Sequence, residues 1–120
     1  MPKYLCLTYS AESRWQNAPQ AETEKMMLEY REFAEGIKAA GHHLAGFRLH
    51  PVNTATTVRI RDGKLSTTDG PFAETKEQLG GFYMIEARDL NDAIQVASRI
   101  PSARFGSVEV RPVVVFSQPV

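Results

Sequence analysis

The stretch Thr56-Thr57-Val58-Arg59-Ile60-Arg61-Asp62-Gly63-Lys64-Leu65-Ser66-Thr67-Thr68 decides the fold. Its first half is rich in β-branched residues and runs into Asp62-Gly63, a pair that accepts the positive φ angles of a two-residue hairpin turn. Lys64 to Thr68 then forms the return strand, so the stretch is a self-contained hairpin. Set aside as an insertion, it leaves the order strand, helix, strand, strand, helix, strand. That is the split βαβ pattern (βαββαβ) of an α+β, ferredoxin-like fold with an antiparallel sheet.

The flanking elements follow from local pattern. Tyr4 to Tyr9 is apolar on both alternating sets of positions, which marks a strand covered on both faces. Residues 10 to 18 are polar and read as a loop. Pro19 stands where a helix begins, Glu22 and Glu24 suit its first turns, and Met26, Met27, Tyr30, Phe33, Ala34 and Ile37 recur at helical spacing as far as Gly41. Leu44 to Leu49 is a strand ended by Pro51. Asp69-Gly70-Pro71 makes a turn, Ala73 to Gln78 suits a short helical turn, and Gly80-Gly81 stops it. Phe82 to Ile85 resumes the sheet. Asp89 and Asp92 resemble a capping box for a helix carrying Leu90, Ala93, Ile94 and Ala97, which Pro101 ends. Val108 to Phe116 is predicted as the longest strand.

Right-handed crossovers place both helices on one face of the sheet. The opposite face then lacks helices, although the strands at 4–9, 82–85 and 108–116 are apolar on both sides. Burying each such side chain contributes roughly 1.5–3 kcal/mol. A second copy of the chain is the simplest cover, so a homodimer through the helix-free sheet face is expected.

With 120 residues, 42% hydrophobic and 23% charged, the sequence has the composition of one folded domain, 1–120. Fourteen basic and fourteen acidic residues cancel. Neither half departs far from neutrality, which argues against a direct nucleic-acid footprint. The single cysteine, Cys6, excludes an internal disulfide and lies in an apolar run as a buried thiol. No apolar stretch reaches membrane-spanning or signal-peptide length, so a cytoplasmic location without membrane contact is expected.

The run from Thr68 to Tyr83, with Asp69-Gly70-Pro71-Phe72 at its head and Leu79-Gly80-Gly81-Phe82-Tyr83 at its end, resembles the signature of YCII-related, or DGPF, domain proteins. Thr57-Val58-Arg59, Leu90-Asn91-Asp92-Ala93, Ile100-Pro101 and Val108 to Val113 support the resemblance on both sides. It implies a dimeric α/β-barrel of ferredoxin-like units. Structural relatives of that superfamily include cofactor-independent enzymes, so the resemblance leaves the reaction open. Some members are linked to alternative sigma factors, which implies a possible protein partner in transcription. Others carry a helix-borne histidine proposed to pair with an aspartate. The helix here has none.

Among single residues, two roles are open to Asp69: a general base or ligand contact, or a cap accepting backbone N–H bonds at the turn that follows. Glu74, Lys76 and Glu77 are either a polar ligand site together with Arg59 or a solvated turn. Arg48, Arg59 and Arg111 lie in strand patterns and call for anionic partners, either Glu86 and Glu109 or a substrate carboxylate. His42 and His43 suit the end of the first helix, whereas His50 is an acid–base candidate titrating near neutrality. The histidine spacing matches no metal motif, and neither metal nor cofactor is expected. Tyr4, Tyr9, Phe47, Phe82 and Tyr83 are packing residues or a pocket lining, and Trp15 is a lid or an interface anchor. Asp69 and His50 are thus the catalytic candidates, with Arg48, Arg59, Glu74 and Lys76 as ligand contacts. Two readings follow: a dimeric domain that binds or converts a small molecule, or an accessory protein acting through protein contacts.

Overall fold

Strand β1 (Lys3–Ser10) alternates strictly: Tyr4, Cys6 and Thr8 are buried, while Leu5, Leu7 and Tyr9 are only half-covered. In a computed structural model that describes residues 1–116, this strand is central. It pairs antiparallel with β5 (Gln78–Glu86) on one side and with β6 (Ser107–Pro112) on the other. Strand β2 (His43–Arg48) adds to the far edge of β5, giving a four-stranded sheet in the order β2-β5-β1-β6. The architecture is α+β with an antiparallel sheet, compatible with a ferredoxin-like arrangement.

Helix α2 (Gln20–Ala39) buries Phe33 and Ile37, and helix α3 (Leu90–Ala97) buries Ala93, Val96 and Ala97. Both sets join Tyr4, Cys6, Ile85 and Ile100 in one apolar core, so the two helices cover the same face of the sheet. Phe33 meets Tyr83 edge-on at 5.0 Å between ring centroids. Thr8, the polar member of the buried row, donates its hydroxyl to the Gly81 carbonyl at 3.1 Å and so enters the core satisfied. The cap of α3 is reciprocal. Asp89 Oδ1 accepts the Asp92 N–H at 2.8 Å, and Asp92 Oδ2 accepts the Arg88 N–H at 3.0 Å.

The hairpin forms as the sequence predicts. Strands β3 (Thr56–Arg61) and β4 (Lys64–Asp69) pair as a separate two-stranded sheet. Asp62 (φ 53°) and Gly63 (φ 74°) turn the chain with both central residues left-handed.

Four expectations are corrected. Residues 10–18 are not a plain loop, because Glu12–Gln16 forms a short helix, α1. Residues 73–78 form no helical turn. Gln78 is already in β5, drawn there by pairing with Ser10, and Gly80-Gly81 continue the strand instead of stopping a helix. Gly81 is required by close approach: a Cβ there would sit 2.6 Å from the Phe47 carbonyl oxygen of β2. The last strand stops at Pro112 because its partner β1 begins at Lys3: the Val113 N–H still donates to the Lys3 carbonyl at 2.9 Å, and Val114, Val115 and Phe116 lie exposed beyond it. Helix α3 ends at Ala97, ahead of Pro101, which instead opens a short 3₁₀ turn at Pro101–Arg104.

Replacing Asp89 by Ala is expected to cost about 1 kcal/mol in urea unfolding, the usual loss for an N-cap. Gly81→Ala is expected to cost more, because its new methyl group must force β2 away from β5. A Gly81→Ala variant as stable as the parent would refute this account of the strand contact.

Candidate functional site

On the face that carries no helices, two rungs run across the sheet. Phe47, Phe82, Leu7 and Glu109 are register partners in one, and Ala45, Met84, Leu5 and Arg111 in the next. The centre is apolar and half-covered, and Phe47, against Phe82 at 5.9 Å, is 68% exposed. Charge stands at its margins: Arg111 and Glu109 are joined as an ion pair on β6, and Lys3 and Glu86 are register partners one rung beyond Leu5 and Met84.

One end of this sheet is held by polar side chains. The Glu12 N–H donates to Gln78 Oε1 at 2.9 Å, and Glu12 Oε2 accepts the Val52 N–H at 3.0 Å. Ser107 Oγ donates to Glu77 Oε1 at 2.7 Å. The Leu49 N–H donates to the Gly80 carbonyl at 2.8 Å, and the Gly70 N–H donates to the Ala55 carbonyl at 2.7 Å across the base of the hairpin. These bonds tie residues 49–55 and 70–78 to the same end of β1, β5 and β6. Beside them, Trp15 meets Phe105 edge-on at 5.1 Å, and the Arg14 guanidinium lies over both rings. Trp15 is therefore an anchor within the chain.

The sequence-predicted residues fall around that end. Arg48 closes β2, His50 follows it, Asp69 closes β4, and Glu74 and Lys76 lie in the connection to β5. All are exposed, and none of their side chains makes a hydrogen bond or ion pair among the described residues. Asp69 accordingly does not act as a cap: it ends a strand, and no helical turn follows for it to serve. Arg59 stands apart from it. Register pairs Thr56 with Asp69 and Arg59 with Ser66, so Arg59 and Asp69 point to opposite faces of the hairpin. The expected internal pairing of strand arginines is also absent for Arg48 and Arg59, whose side chains reach water. His42 is tied to the sheet, its Nδ1 meeting the Glu86 carbonyl at 2.8 Å.

Sequence reasoning passed over Glu12. Nothing in its neighbourhood distinguishes it from other acids of a polar segment, and its role comes from Val52 and Gln78, both distant in sequence. A depression of about 330 Å³ lies away from the 69–78 segment. It lies on the helix side, among Glu29, Glu32, Phe33, Arg99 and Arg104, and the Arg104–Glu29 ion pair crosses it. Among the described residues no three His, Cys, Asp or Glu side chains gather to hold a metal ion, and no helix is long and apolar enough to cross a membrane. Burial pushes the Cys6 thiol up to about 11, and burial with the neighbouring Tyr30 pushes the Tyr83 phenol up to about 12. Neither is a nucleophile at neutral pH.

The model of the YCII-related domain matches residues 2–117. The chain belongs to the YCII-related domain family. A similar protein from Rhizobium meliloti (strain 1021), named only as uncharacterized, is 36% identical over 115 residues, covering 94% of this chain and 93% of its own. In this YCII-related chain the run Thr68 to Tyr83 spans the end of β4, the largely exposed 70–77 segment and the first six residues of β5.

The raised pKa values carry a pH dependence. A neutral Cys6 and a neutral Tyr83 are favoured in the folded state, so their contribution is complete below pH 9 and is lost as pH rises through about 11 and 12. Urea unfolding is expected to show a decline in stability from pH 9 to 11. Cys6→Ala, although less stable at pH 7, should flatten that decline; an unchanged slope would show that Cys6 titrates normally.

Proposed function

We propose that this YCII-related protein works as a homodimer joined through its helix-free sheet face, and that the dimer binds or converts a small polar molecule without a cofactor. The observation that carries the reading is the juxtaposition of two surfaces. A half-covered apolar sheet face holds Leu5, Leu7, Phe47, Phe82 and Met84, and toward one end of the sheet stand the polar side chains of Arg48, His50, Asp69, Glu74 and Lys76, without a partner among the described residues. Covering the face removes apolar area from water, and the same step encloses the adjoining loops, converting exposed charges into the walls of a cleft. In such a cleft Arg48 and Lys76 suit an anionic group, while Asp69 and His50 are placed to exchange a proton with the ligand.

Phe72 favours a second reading. Its ring is 81% exposed at the tip of the signature segment, far more than a solvated turn requires. A protein partner, of the sigma-factor-associated kind that the family resemblance suggests, would use that ring as an anchor.

Sedimentation equilibrium is expected to give about twice the mass of the 13.4 kDa chain. A single-chain mass at micromolar concentration would refute the dimer. Thermal shift against small carboxylates, lactones and quinones is expected to raise the melting temperature for at least one class. Asp69→Ala should abolish that shift while changing stability by less than about 0.5 kcal/mol, as for other exposed positions without a partner. Failure of every compound would refute the small-molecule reading and favour the protein partner.

A further inference from the structure

The β3–β4 hairpin is built with two unlike faces. Register places Val58 beside Thr67 and Ile60 beside Leu65 on one side, and Arg59, Arg61 and Lys64 on the other. Val58, Ile60 and Leu65 are 60%, 66% and 69% exposed. A hairpin that merely bridged two loops in water would have no use for an apolar side. It also has little to hold it. The described bonds at its base, from the Gly70 N–H to the Ala55 carbonyl and from Thr57 Oγ1 to the Gly70 carbonyl at 2.9 Å, join the hairpin's own two flanks. A two-stranded hairpin standing alone is marginal in water.

We propose that this hairpin is a docking arm whose apolar face, Val58, Ile60 and Leu65, packs on a second copy of the chain, against the exposed apolar end of its helix-free sheet around Phe47. The inference rests on the homodimer proposed above and adds to it the element that embraces the partner. The surface area identifies the occupant. A compact chain of this mass exposes roughly 6,500 Å², whereas this one exposes 8742 Å². The excess, about 2,200 Å² per chain, corresponds to an interface of about 4,500 Å² between two copies, within the range of obligate homodimers. The radius of gyration of 16.5 Å, against about 13.6 Å for a compact chain of this length, agrees. Asp69 and Thr56 share the apolar side at the base of the hairpin. Docking therefore carries Asp69 to the seam between copies and turns Arg59 outward, so the proposed cleft draws Asp69 from one chain and its neighbours from the other.

The test is sedimentation equilibrium of the full chain and three variants, with far-UV circular dichroism to check folding. Ile60→Lys/Leu65→Lys is expected to weaken the dimer by roughly a hundredfold or more, since each substitution acts twice in a two-fold dimer. Arg59→Ser/Arg61→Ser, on the opposite side, is expected to leave its dissociation constant within about threefold, as for charges at an interface rim. Leu7→Lys tests the sheet face alone. A dimer that Leu7→Lys disrupts and Ile60→Lys/Leu65→Lys leaves intact would overturn the arm while preserving the dimer. A parent chain that sediments singly would overturn both.

Discussion

The alternation of β1 governs the rest of the molecule. Tyr4, Cys6 and Thr8 enter the core beneath α2 and α3, and the side chains between them, Leu5 and Leu7, are as apolar as those that are buried. An antiparallel sheet can keep one face wet when that face is polar, but on β1, between β5 and β6, the outer row is Leu5 and Leu7. Its partners repeat the pattern, since Tyr83 and Ile85 turn to the helices while Phe82 and Met84 turn away. One amphipathic layer of helices satisfies half of what the strands require. The other half is the physical origin of every surface discussed above.

The site follows from the same geometry. Functional groups sit where strands end, and here the ends of β1, β5 and β6 are bound together by Glu12, Glu77 and Gln78. That polar frame consumes three side chains so that the two flanking segments keep their places. Arg48, His50, Asp69, Glu74 and Lys76 stand at strand ends or in the connections beside them, exposed and with no side-chain partner among the described residues. Charged groups left unpaired beside apolar surface are poorly placed for stability and well placed for a ligand.

Local signals made much of this legible in the sequence. Helix α2 shows in the spacing of Met26, Tyr30, Phe33 and Ile37, α3 in Asp89 and Asp92, and the hairpin in Asp62-Gly63, because each depends on residues a few positions apart. What the sequence concealed depends on distant partners. Gln78 looks helical beside Glu74 and Glu77, yet Ser10 captures it for β5. Gly80-Gly81 read as a stop, although Gly81 serves the approach of β2. Val113 to Phe116 carry strong strand character, but β1 begins at Lys3 and offers no partner past Val113. Glu12 was invisible for the same reason, since both its partners arrive from elsewhere in the chain. Arg59 and Asp69 looked like one site only while the period of two along the hairpin was ignored.

The balance of charge takes a different meaning in three dimensions. A neutral chain with arginines in its strands suggests ion pairs sealed inside a barrel, each needing its counter-charge against the cost of burial. The described ion pairs, Arg14–Glu22, Arg88–Asp92, Arg104–Glu29 and Arg111–Glu109, instead all have a partner at the surface. Pairs of that kind contribute under about 1 kcal/mol each, so they neither hold the fold together nor fix its assembly. Cohesion must come from apolar area, and the chain leaves an unusual amount of that area exposed. Neutrality suits the proposed homodimer, because two identical surfaces of a chain without net charge would meet without net repulsion.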